Sequence, residues 1–423
     1  MYKLERYRQL GLSDFNRLTK LKMHIRNFVS GKTAGSKRLT PEKAFFILSL
    51  LNISIMIILI MCSGGQAIIR MGYGESNFGD FWAHIRRLLN GNDIYGTEAD
   101  AIYPPLVSLF MKLFAIPLSH KIDAEGVYNM AAIRSSGFGG LILVLYFTLF
   151  FIMFASILSI AYKTNSNLKK NAMMGILLFS YPFWGCAFER GNPVLFAMLF
   201  LWGGIVLKDS DSKFLKELAL IFVAISAGFK LYPALFGFIW LAEKRYKEAV
   251  RLIVYGLIAF FVPFLFLGSF KSYLDTFALY LDKRVYSQTS VWGNIFLVFG
   301  NNTFSQIICR IIIAAIIIWA IICLYTDGVN WKTITLLTAT QTIIIPQSYV
   351  YTYVFIVIPL ILFMNEGSTR KIDYIYAILF SLVFTIPPFL KIQSAVLIGI
   401  YISWIVLLLL VTIEEIRLIV RKI

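Results

Sequence analysis

The chain has 423 residues, of which 58% are hydrophobic and only 15% charged, and its formal net charge is +17. A soluble domain carries about a quarter charged residues, so this composition excludes an ordinary soluble protein and fits a polytopic membrane protein. The positive surplus lies in short segments between apolar runs, which excludes nucleic acid as a partner and matches the Lys and Arg bias of cytoplasmic loops.

Residues 1–43 hold 11 Lys or Arg against three acids and read as a cytoplasmic basic tail. Weak helical periodicity from Asp14 to Val29 suits contact with anionic lipid. Apolar runs then predict a transmembrane domain over residues 44–413. The first span is Ala44 to Cys62, and a long loop, 63–136, separates it from the second, Gly137 to Tyr162. The third and fourth are Ala172 to Phe188 and Val194 to Leu207. Leu215 to Phe229 and the short Ala234 to Leu241 are the fifth and sixth, and Leu252 to Gly268 is the seventh. A loop over Ser269 to Ser305 precedes the eighth, Ile307 to Tyr325. The remaining spans are Thr333 to Ile345, Val354 to Met364, Tyr374 to Phe389 and Ala395 to Ile413, with 414–423 as a second tail. The predicted fold is all-α, a bundle of about 12 transmembrane helices. With the amino terminus inside, the inner segments carry 27 of the 40 Lys and Arg. Both termini are then cytoplasmic in the plasma (inner) membrane, and the first loop faces outward.

That loop contains GDFWAHIRRLLNGNDIYGTEADAIYPPLVSLFMKLFAIPL, Gly79 to Leu118. The distinctive polar residues fall on its predicted side of the membrane: Asp80, His84, Arg86, Arg87, Tyr103, Glu189, Arg190, Asn192, Lys230, Tyr232, Lys283, Arg284 and the stretch 347–353. A carboxylate among cations suits deprotonation of a hydroxyl beside a phosphate. Each residue also has a plain structural explanation. Asp80 can cap a helix, Arg86 and Arg87 can touch lipid headgroups, and Lys230 can snorkel to the interface. On a helix Asp80 and His84 share a face. Cys62, Cys186, Cys309 and Cys323 have no CxxC spacing, no His, Cys and Asp cluster has metal-ligand spacing, and no P-loop occurs. Neither metal nor cofactor is expected.

Several strings, in this order, resemble glycosyltransferase family 87, which includes enzymes that mannosylate phosphatidylinositol mannosides. They are NGNDIY, YPPLVSLFMKLFAIPL, RGNPVLFAMLFLWGGIVL (Arg190 to Leu207), GFKLYPALFGFIWLAEKRYKEAV (Gly228 to Val250) and, more loosely, PQSYVYTYVFIVIPLILF (Pro346 to Phe363). In the last, Tyr351 and Tyr353 stand where the family often has histidine. The resemblance implies a GT-C-type membrane bundle and a polyprenyl-phosphate-sugar donor. It implies transfer of a hexose, mannose-like, to a lipid- or glycan-linked acceptor at the outer face, with inversion. Asp80 matches the family's base. Lys230, Arg190 or Arg284 would meet the lipid phosphate, and His84, Arg86, Tyr103, Asn192, Tyr232 and Tyr351 would complete the substrate site. A lipid-linked saccharide flippase or an O-antigen-type polymerase is the alternative. A flippase would favour repeat symmetry and mid-bilayer charges, and a polymerase a dominant external loop later in the chain.

Overall fold

A computed structural model describes residues 39–64, 77–90, 94–95, 103–119, 130–282, 287, 289–346, 349–386 and 393–422. Residues 1–38 of the basic amino-terminal tail and Arg284 lie outside the described residues. In chain order the α-helices are α1 (Pro41–Cys62), α2 (Gly79–Asn90), α3 (Pro105–Ala115), α4 (Met130–Ser135), α5 (Gly137–Ala161), α6 (Asn167–Leu178), α7 (Val194–Leu207), α8 (Lys213–Phe229), α9 (Phe238–Ala242), α10 (Tyr246–Phe261), α11 (Phe264–Leu267), α12 (Phe270–Asp282), α13 (Val291–Phe299), α14 (Thr303–Asp327), α15 (Trp331–Thr342), α16 (Val357–Glu366), α17 (Lys371–Thr385) and α18 (Gln393–Lys422). A π-helix, Tyr181–Phe188, precedes α7, and 3-10 segments, Tyr232–Gly237 and Val350–Ile356, precede α9 and α16. No strand occurs among the described residues.

The helical class matches the sequence, but the count of about twelve spans does not emerge. Five described helical segments are long and apolar enough to cross a membrane: Pro41–Cys62, Gly137–Ala161, Tyr246–Leu267, Thr303–Asp327 and Val396–Lys422. The most apolar stretch of each is only 17–39% buried, so these helices turn Leu, Ile and Phe side chains outward as a lipid-facing sheath. The other predicted spans are short or broken. Residues 172–188 divide between α6 and the π-helix, because Ser180 and Pro182 interrupt the ladder. The helices α7 and α15 bury most of their residues and form the core that the sheath surrounds. Their hydropathy therefore records burial in protein. The predicted loop 269–305 contains α12 and α13, and the last helix continues through Lys422.

Charges and cavity divide between the two ends of the bundle. Where α1, α8, α15 and α17 begin and α7, α14, α16 and α18 end, ion pairs gather. Glu42 pairs with Lys169 at 2.5 Å, Lys208 with Glu243 at 2.5 Å, Lys332 with Glu414 at 3.1 Å and Arg370 with Asp373 at 2.7 Å. The end of the π-helix, the start of α7 and the end of α8 lie at the opposite end, and there the candidate site forms.

The antiparallel pair α7–α8 brings that end together. Gly203 and Gly204 let the helices approach closely, since a Cβ on Gly203 would lie 2.9 Å from the Phe222 ring and one on Gly204 only 2.5 Å from Val223. Small residues at such crossings are the usual device of membrane helix packing. At the other end of the pair the Ser226 hydroxyl donates to the Ala197 carbonyl at 2.6 Å. Gly204→Val should force the two helices apart at a cost of about 1–3 kcal/mol. A lowered melting temperature in detergent, with a solvent-facing control such as Lys213→Ala unchanged, is the expected result.

Candidate functional site

The site begins with a conformational constraint. After the π-helix the chain reverses through Glu189-Arg190-Gly191-Asn192, with the Gly191 amide donating to Phe188 O and the Asn192 amide to Ala187 O. Gly191 takes φ +61°, and a Cβ there would lie 2.7 Å from the Phe81 Cβ. Only glycine lets this turn press against α2. The Tyr146 hydroxyl donates to Gly191 O from below, and the Phe78 amide donates to Glu189 O.

The short α2 is amphipathic. Phe81, Trp82 and Ile85 are buried against Tyr146 and Phe114. Asp80, His84 and Arg87, spaced four and three apart, share the other face and line one cavity of about 680 Å³. Opposite them stand Arg190, Lys230, Tyr232, Tyr349, Tyr351 and Thr352, with Tyr273 and Phe277 of α12 closing a side.

Asp80 is gripped on both oxygens. Arg190 donates from Nε to Oδ2 at 2.8 Å and from Nη2 to Oδ1 at 2.6 Å, the side-on fork that fixes a carboxylate's plane. Asn192 Nδ2 adds a bond to Oδ2 at 2.6 Å and a second to the Tyr103 hydroxyl oxygen at 3.0 Å. Oδ2 thus takes two bonds and Oδ1 one, so Oδ1 keeps a lone pair for a further donor. Among the described residues no backbone amide bonds this side chain, so helix capping does not account for Asp80.

Lys230 follows the last residue of α8 in an extended conformation. Its ammonium lies 3.8 Å from the centre of the Tyr103 ring and 5.9 Å from that of Tyr351, and it makes no ion pair among the described residues. Cation–π contact of this kind holds a cation in place and leaves it able to meet an anion. Burial pushes its pKa down, with Asp80 raising it and Arg190 lowering it, to about 7. Behind it, Gln341 Nε2 donates to the Tyr232 carbonyl at 3.0 Å and steadies the 231–233 turn. His84 is almost fully buried, with its ring edge-on to Tyr103 at 4.5 Å. Burial, reinforced by Arg87 and Lys230 against Asp80, lowers its pKa to about 3, so the ring is neutral.

Of the residues singled out in sequence, Asp80, His84, Tyr103, Arg190, Lys230, Tyr232 and Tyr351 line the cavity, and Asn192 braces it from behind. Arg86 does not join them. It is exposed, because six residues after Asp80 a helix has turned it away, and Arg87 takes the cavity face instead. Sequence reading also missed Tyr273 and Phe277, whose i, i+4 spacing within YLDTFALYL was the available signal. They are anchored through the Ile94-Tyr95 pair of NGNDIY. Tyr95 packs on Tyr273 with ring centres 5.1 Å apart, its carbonyl accepts from the Thr276 hydroxyl at 2.5 Å, and its own hydroxyl donates to Tyr103 O at 3.3 Å. Among the described residues no cluster of His, Cys, Asp or Glu is arranged to hold a metal, and the cysteines are free.

This arrangement pairs an oriented carboxylate with a cation held for an anion, in an aromatic-walled cavity of a multi-pass membrane protein. Glycosyltransferase family 87 (GT87) matches residues 101–346, more than half of the chain, and the protein belongs to that family. The match takes in Tyr103, Arg190, Asn192, Lys230 and Tyr232, and it begins after Asp80, whose place in the site rests on geometry. No curated protein and no solved structure matches the chain.

The Lys230 ammonium must be protonated to meet an anion. Affinity of the cavity for an anionic probe whose own charge is constant over this range, such as a phosphodiester lipid, should therefore fall as pH rises through and above about 7. Lys230→Arg keeps its charge at these pH values and should flatten the profile. Binding to protein in nanodiscs between pH 6 and 9 is the measurement.

Proposed function

We propose that the protein transfers a hexose from a polyprenyl-phosphate-sugar donor to a lipid- or glycan-linked acceptor at the outer face of the plasma (inner) membrane, within a GT-C-type bundle. The observation that carries the reading is the meeting, in one cavity, of Asp80 with a lone pair left on Oδ1 and Lys230, which has no ion-pair partner among the described residues. Membership of a glycosyltransferase family favours transfer over flipping.

In this mechanism the acceptor hydroxyl sits against Asp80 Oδ1. Its oxygen attacks the anomeric carbon while the bond from that carbon to the phosphate oxygen breaks. The proton passes to Asp80, and the electron pair leaves with the lipid phosphate, whose charge Lys230 stabilises. A single displacement inverts the anomeric centre. Arg190 belongs to the base rather than to the phosphate, since its fork is occupied by Asp80. Asn192 couples the base to Tyr103, and Tyr103 and Tyr351 flank the donor. Phosphate is a good leaving group, so no general acid is required.

Asp80→Asn keeps the size and loses the proton acceptor. Transfer from a panel of polyprenyl-phosphate sugars should fall by about 10²–10⁴-fold per folded molecule, with a lowered melting temperature because Arg190 loses its counter-charge. A variant that melts early yet turns over normally per folded molecule would overturn the assignment of the base.

The orientation has its own test. In a Cys62→Ala background, Arg86→Cys should label with a membrane-impermeant maleimide from outside, and Lys247→Cys should label only after the membrane is opened. Both positions are exposed. The reverse pattern would place the cavity on the cytoplasmic side.

A further inference from the structure

Two uncharged side chains that line the cavity each carry a buried polar atom with no hydrogen-bond partner among the described residues: His84 Nε2 and the Tyr232 hydroxyl. His84 is only 3% exposed. Native folds seldom leave such atoms unpaired, and where they do a ligand or water commonly completes them. They come from different elements, α2 and the turn after α8; the His84 ring packs edge-on to Tyr103, over which Lys230 lies, and the Tyr232 ring packs on Phe355.

Their chemistry narrows the ligand. A neutral imidazole offers one donor and one acceptor, and a phenol offers both on one oxygen. A phosphate or carboxylate would use only donors and would favour a charged ring, which burial and Arg87 oppose. A cationic ligand would face Arg87, Arg190 and Lys230 in the same cavity. Groups that donate and accept without charge, the hydroxyls of a sugar, match both atoms. The rings of Tyr103, Tyr351, Tyr273 and Phe277 in the same cavity offer apolar faces for the C–H side of that sugar.

We infer that His84 Nε2 and the Tyr232 hydroxyl form an uncharged pair that reads hydroxyl groups of the transferred hexose, setting sugar specificity, while the donor's charge goes to Lys230. The inference rests on the donor class proposed above. It divides one ligand between two subsites: lipid phosphate at Lys230, sugar hydroxyls at His84 and Tyr232.

The test uses full-length protein with no acceptor present, so that binding is measured without turnover. The probes are polyprenyl phosphate, a set of polyprenyl-phosphate hexoses and the monodeoxy analogues of the hexose that binds best. Tyr232→Phe and His84→Ala should each weaken that hexose donor about tenfold and leave polyprenyl phosphate unchanged. His84→Gln, which restores a neutral donor and acceptor, should recover most of the loss. For each variant one monodeoxy donor should bind as it does to the parent, because the lost partner was its missing hydroxyl. Melting curves on the same samples confirm folding. If both variants weaken polyprenyl phosphate as much as the sugar donor, or if every monodeoxy donor is weakened as much as the intact one, the pair does not read hydroxyls. If hexose donors bind through Lys230 while both variants are silent, this inference falls and the donor class stands. If polyprenyl phosphate binds but no hexose adds affinity, the donor class falls, and this inference with it.

Discussion

The grip of Arg190 and Asn192 on Asp80 is the constraint on which the rest of the site depends. Three charged or amide side chains from two distant stretches of sequence meet within 2.6–2.8 Å. Each would be costly to bury alone in an apolar bundle. Together they satisfy one another and leave a single accepting position open. The arrangement needs the 189–192 turn pressed against α2, and the turn needs a residue without a Cβ at 191. A conformational property of one glycine therefore sets the direction in which a carboxylate points.

The second constraint is the hairpin of α7 and α8. One helix leaves the site from Asn192 and the other returns to it at Lys230. The turn that holds Asp80 and the Lys230 cation are thus fixed relative to one another by helix packing at Gly203, Gly204 and Ser226. Groups carried on helix ends hold their geometry better than groups on long loops. The aromatic walls are added from later parts of the chain, through α12 and the 3-10 segment that precedes α16.

Much of this was legible in the sequence, for reasons that can be named. A helix period of 3.6 puts His84 and Arg87 on the Asp80 face, and Lys230 stood out as a cation between apolar runs. The same period, followed strictly, would have rejected Arg86. The helical class followed from composition, but the count of spans did not. Apolar runs such as Val194 to Leu207 look alike whether they face lipid or other helices, because hydropathy registers removal from water and not the neighbour that replaces it. The stretch Phe270 to Asp282 passed as a loop because Lys271, Ser272, Asp275 and Thr276 dilute the apolar stripe. The approach of Tyr349 and Thr352 to Asp80 depends on packing between elements far apart in sequence, which no local pattern encodes.

The lengths of the core helices fix how deep the chemistry lies. With 14 and 17 residues, α7 and α8 extend about 21 and 25 Å, against about 30 Å for a bilayer's hydrocarbon core. The cavity they carry is therefore a recess that begins less than one hydrocarbon thickness from the ion-paired end. The rings of Tyr103, Tyr273, Phe277, Tyr349 and Tyr351 line it beside Lys230. In such a recess an ammonium attracts a phosphate more strongly than it would at the surface. In the mechanism proposed above, shelter of this kind protects the sugar donor from hydrolysis and leaves the anomeric carbon to the acceptor hydroxyl.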